Sequence, residues 1–208
     1  MSFVPVEFVG LARDFERRLV VADQRAAAEV PRILAPIRAR YARNPVPRKE
    51  MLIDLARQWR RDIPPFGRIG LSIDLAPKAI AVREHRACSA QMHWPQWGLE
   101  PGVVVVLTGF DVRRDVFQDV AETYALVSRH ALARRFQRGR RRDDAAILAD
   151  LGRLVGAANP SVIPTPDGAW VGEGIEARGR RLLSMRSFLE PGQAARPVPI
   201  VLSPGLAA

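Results

Sequence analysis

The stretch S-R-H-A-L-A-R-R-F-Q-R-G-R-R-R, Ser128 to Arg142, decides how the rest of the chain is read. Its spacing predicts a helix. Ser128 suits the N-cap, because its hydroxyl can accept a bond from an orphan N–H of the first turn. Ala125, Leu132 and Phe136 recur at helical spacing and face a core. His130, Arg134, Gln137, Arg138 and Arg141 recur at steps of three and four and form one polar stripe. Gly139 ends the helix. Cations at a helix C-terminus are favoured by the macrodipole, so part of the arginine run needs no function.

Downstream, Asp143 and Asp144 place negative charge where a second helix begins. Ile147, Leu148, Leu151, Leu154 and Val155 give that helix an apolar face, and Gly156 and Pro160 end it. Ser161–Thr165 and Ala169–Ile175 flank Pro166-Asp167-Gly168, a hairpin signal. Arg181–Leu189 is the next strand. There Leu182, Ser184, Arg186 and Phe188 share one side, and Leu183, Met185, Ser187 and Leu189 the other.

Upstream, residues 11–42 read as helix, with Leu11, Phe15, Leu19, Ala22, Ala26 and Val30 on one face. Pro31 and Pro36 are expected to kink or break its far end. A second helix is predicted from Arg48 to Arg61, burying Met51, Leu52, Leu55 and Trp59. Asp62 to Gly67, with Pro64 and Pro65, is the linker candidate. Then the period changes. Ile80, Val82, Glu84, Arg86 and Cys88 line one side of a long strand, and Arg83, His85 and Ala87 the other. Trp94 to Gly98 reads as a loop, Val103–Leu107 as a buried strand, and Asp111–Asp119 as a charged connection. The expected class is α+β: a helical appendage over 1–65, an antiparallel sheet packed on two or more helices over 66–190, and a loosely held tail over 191–208.

The formal net charge is +10, and all but two of the 32 basic residues, Lys49 and Lys78, are arginine. Arginine's planar fork suits phosphate, so a polyanion partner is favoured. Ala, Arg, Gly and Pro richness also arises from GC-rich coding without selection for binding. Cys88 is the single cysteine, so no intrachain disulfide can form and a reducing, cytoplasmic setting is expected. No apolar run approaches membrane-spanning length, so no membrane partner is expected. His85 and Cys88 face opposite ways on a strand and lack a second cysteine, which argues against a metal site. No phosphate-binding glycine loop, G-x-S-x-G elbow or H-E-x-x-H motif is present, and no cofactor is expected.

Ser128 to Gly139 also resembles the S-x-H-A-x-x-R-x-x-x-R-G opening of small bacterial toxin-like proteins of the BrnT type. These belong to the barnase/EndoU/colicin/RelE-type group of metal-independent ribonucleases. The likeness covers about residues 122–190, with a second helix and a small antiparallel sheet in the same order. It implies a catalytic His130 with Arg134 and Arg186, and it points to Ser187 as an adjacent candidate. Residues 1–121 have no counterpart in those compact toxins. Arg186 and Ser187, being adjacent in a strand, point to opposite faces, and Arg186 is preferred.

Three functions remain in view. The first is a nucleic-acid-binding protein, for RNA rather than DNA, using Arg138, Arg140, Arg141 and Arg142 on phosphates. The second is a ribonuclease in which His130 moves a proton while Arg134 and Arg186 stabilise phosphorane charge. The third is a protein-interaction module that docks an acidic partner.

Overall fold

The computed structural model describes residues 3–44, 46, 48–94, 98–114, 116–157, 161–177, 180–190 and 193; the side chains of 92–94, 98, 177, 180 and 181 lie outside that description. Two helices, α1 (Val6–Arg43) and α2 (Lys49–Asp62), precede a four-strand meander, β1 (Arg68–Ala76), β2 (Ala79–Trp94), β3 (Gly98–Arg113) and β4 (Val116–Ser128). Next come α3 (Arg129–Arg138), α4 (Asp144–Gly152), β5 (Val162–Thr165), β6 (Gly168–Ala177) and β7 (Arg180–Leu189). The strands form one sheet in the order β1-β2-β3-β4-β7-β6-β5. Every pairing is antiparallel except β4 with β7, which the α3–α4 crossover makes parallel. The expected α+β class holds.

Both faces of the sheet are covered. Ile80 and Val82 pair with Val112 and Phe110, and these pack with Ile33, Leu34, Ile37, Leu52, Leu55 and Trp59. Ala87 pairs with Val105 at the other parity and belongs to a second core with Phe15, Leu19, Leu132, Phe136 and Trp170. One helix serves both cores. The N-terminal half of α1 packs in the second, and its C-terminal half in the first. It crosses where β2 outruns β1. Ala87 N–H still bonds Gly67 O, but the next outward N–H, that of Ser89, bonds the Asp23 carboxylate at 3.0 Å. The strand edge is thus satisfied by a helix side chain.

Some expectations are corrected. α1 runs unbroken through Pro31 and Pro36. Both rings lie on the exposed side, while Ile33, Leu34 and Ile37 between them are buried, and that burial outweighs the lost backbone bonds. Leu11 is 40% exposed; Ala12 takes the core position instead. Most of the charged connection over 111–119 is strand: β3 continues to Arg113 and β4 starts at Val116. The strand-face assignment in β7 fails at Arg186. Val171 pairs with Ser187 and Gly172 with Met185, so Arg186 is the extra residue of a β-bulge. Beyond it the alternation flips, and Phe188 joins the same core as Leu183 and Met185. The Pro95–Trp97 part of the tryptophan loop and, apart from Gln193, the 191–208 tail lie outside the described residues. No helix among the described residues is long and apolar enough to cross a membrane.

Candidate nucleic-acid interface on the basic helix

β4 ends at Ser128, and its hydroxyl caps α3 by accepting from Ala131 N–H at 3.1 Å. Asp143 does the same for α4, accepting from Ala146 N–H at 2.9 Å. α3 is held on one side by Leu132 and Phe136 in the core, and on another by Glu16 of α1, which accepts from Arg129 Nε at 2.8 Å. These fixings decide which arginines face outward.

His130 is exposed at the start of α3. Arg134, one turn on, is only 4% exposed, so it does not lie open on the stripe as expected. Its Nε–H points to His130 Nε2 at 3.5 Å, and its Nη1 donates to Gln137 Oε1 at 3.0 Å. Both partners are neutral, and no carboxylate pairs with this guanidinium among the described residues. Burial, then the nearby Arg138 charge, lowers its pKa. His130 is lowered too, first by burial and then by Arg134 and Arg138, which favours the neutral ring that accepts from Arg134.

The remaining candidates divide. Arg138 Nη1 donates to Phe188 O at 2.7 Å. Arg140 is exposed beyond the helix end. Arg141 also lies past that end, not on the helical stripe; its backbone N–H reaches Asp167 at 3.2 Å and its side chain pairs there at 3.4 Å. Arg142 lies over the Phe8 ring at 5.0 Å. Arg186, lifted by the bulge, donates to Glu173 at 2.5 Å. Neither His130, Arg134 nor Arg186 lines any of three cavities found among the described residues.

Comparison with known proteins returns nothing: no protein-family model, curated protein or solved structure matches this chain.

Two groups here had no sign in the spacing. Glu100, early in β3, has its carboxyl pushed up by burial, against the lowering effects of the His130 backbone N–H and the Arg129 and Arg186 charges. It is the acidic point that His130's helix start and Arg186 share. Arg135, inside the basic run, is fully buried. Its Nε pairs with Asp150, its Nη2 with Asp167 at 2.7 Å, and its Nη1 donates to Arg141 O at 2.8 Å. The one available signal was Asp150, a carboxylate among the apolar residues of α4.

Gly139 owes its place to this guanidinium. It ends α3 as expected, with a backbone that is not left-handed (φ −71°). A Cβ there would sit 1.7 Å from Arg135 Nη1 and 2.9 Å from Arg135 O. Gly139→Ala is therefore expected to lower the thermal midpoint, with a loss of about 1–3 kcal/mol typical of overpacking. A midpoint equal to the parent's would contradict this placement.

Proposed function

We propose that this protein binds nucleic acid, RNA rather than DNA, through the outer surface of α3 and the arginines that follow it. The observation that carries the reading is Arg134: a guanidinium almost removed from water whose partners are a histidine and a glutamine. A buried cation without a counter-charge is costly, and a phosphate oxygen supplies the missing one. Arg138, Arg140, Arg141 and Arg142 add positive field around it, and a dense negative backbone answers such a field. The preference for RNA rests on the resemblance of residues 122–190.

The test is anisotropy of a labelled single-stranded RNA across a salt series. The logarithm of affinity should fall linearly with that of salt, and Arg140→Ser should flatten the slope by about 0.7 for each phosphate the side chain neutralises in the parent. His130→Ala should leave affinity nearly unchanged. Salt-insensitive binding, or none, would remove the reading.

One observation favours a second reading, metal-independent RNA cleavage. His130 is held toward its neutral form beside a guanidinium; with the Arg134 N–H turned from His130 Nε2 to the phosphate, that nitrogen could take the proton of a 2′-hydroxyl as the 2′-oxygen bonds to phosphorus and the 5′-oxygen leaves. Under this reading, parent protein cleaves RNA in EDTA and His130→Ala does not.

A further inference from the structure

A cavity of about 570 Å³, with no α3 residue in its lining, lies between the C-terminal half of α1, the end of α2 and the sheet. Its size is that of sites for small molecules. Ala26, Ala27, Val30 and Leu34 of α1 give it an apolar wall, and Ile63 and Val120 continue that wall. Glu84, Arg86 and Cys88 of β2 line it with polar groups, and Asp23 and Arg38 of α1 and Asp119 of β4 add charged ones.

That polar wall is built and rigid. Glu84 is fully buried. One of its oxygens accepts from Trp59 Nε1 at 2.6 Å; the other accepts from Arg68 Nε at 2.9 Å and Arg86 Nη1 at 2.6 Å. Arg86 also donates to Pro64 O at 3.0 Å and to Phe66 O at 2.9 Å. Those bonds use both terminal nitrogens. Its Nε–H, in a side chain only 4% exposed, has no acceptor among the described residues. The other ionisable groups of the wall are already engaged. Asp23 accepts from Ser89 N–H, and Arg38 is paired with Asp119 at the rim at 2.5 Å. Burial and the neighbouring Asp23 push the Cys88 thiol up to about 12, so it carries no charge there.

We infer that this cavity is a binding site for a small molecule with an apolar body and an oxygen acceptor at one end, the acceptor taking the Arg86 Nε–H. The apolar body is driven in by the walls of α1. The head group is selected by the Arg86 N–H groups that the described residues leave open, Nε–H foremost, since an unmet buried N–H is costly and an amine cannot meet it.

Decanoate and decylammonium, which share a tail and differ in the head, separate the outcomes in calorimetric titrations of the full chain. Decanoate should bind saturably at one site, at least about tenfold more tightly than decylammonium, the worth of one charge-assisted hydrogen bond. Ala27→Trp, a substitution on the exposed part of the wall, should weaken decanoate about tenfold or more by filling space, without altering the fold's thermal midpoint. Arg86→Met, where it folds, should erase the head-group preference. Absence of saturable decanoate binding, equal affinity for the two head groups, or undiminished binding to Ala27→Trp overturns the inference.

Discussion

Arg135→Met is expected to cost the fold about 3–5 kcal/mol, the loss that follows when one member of a buried ion pair is removed. Arg135 is the joint of the C-terminal half. Through Asp150 it holds α4, through Asp167 the β5–β6 turn, and through Arg141 O the segment leaving α3. Its guanidinium also lies over the Phe188 ring at 5.2 Å. Methionine fills similar volume but leaves two buried carboxylates facing one another. Urea denaturation read by circular dichroism measures the loss. Arg141→Met is the comparison: it touches the same Asp167 from a half-exposed position, and its expected cost stays below about 1 kcal/mol. The pH dependence has a definite sign. Burial already raises the Asp150 carboxyl, and Arg135 holds it down. Without that cation the folded-state value climbs further above the unfolded one. The folded variant then keeps a proton that the unfolded chain releases. Its deficit should be full above that raised value and shrink as pH falls toward the ordinary carboxylate range. A deficit under about 1 kcal/mol, or one flat with pH, would show that the cluster is not held by charge.

That cluster also marks where sequence reading stops. Local signals were legible: Ser128 and Asp143 cap their helices, the Pro166-Asp167-Gly168 turn joins two strands, and the alternation from Ile80 to Cys88 is a strand. Each depends on neighbours within a few positions. Arg135 was illegible because an arginine inside a run of arginines carries no mark of burial. Its partners lie 15 and 32 positions away, and only the assembled crossover brings them to it. Spacing alone makes Arg134 a surface cation for the same reason. Its burial comes from how α3 is docked, not from its spacing. At Arg186 the rule of alternation itself was sound, but one extra residue relative to β6 reversed it, and a bulge is set by the partner strand. Of the proposed trio, spacing placed His130 and Arg134 together. Arg186 belonged to another element, whose side-chain direction the bulge decided.

The second large effect is expected at Glu84, and it joins stability to the cavity. Glu84→Ala removes the carboxylate that Arg68, Arg86 and Trp59 share, leaving two guanidinium groups without their common counter-charge and an indole N–H without an acceptor. A loss of about 3–5 kcal/mol in urea denaturation is expected. Glu84→Gln separates charge from shape: its amide oxygen can still accept, so its loss should be smaller, and the difference between the two variants measures what the side chain's shape and remaining hydrogen bond supply. The ligand should respond in the opposite direction. With Glu84 neutral, Arg86 faces the cavity with its charge no longer answered, so decanoate should bind Glu84→Gln more tightly than the parent. Saturating decanoate should then recover part of the lost stability, because a ligand held only by the folded state stabilises it by RT ln(1 + [L]/Kd). Weaker decanoate binding to Glu84→Gln would mean that Glu84 serves the cavity by holding Arg86 in place, and that its charge does not oppose the ligand's.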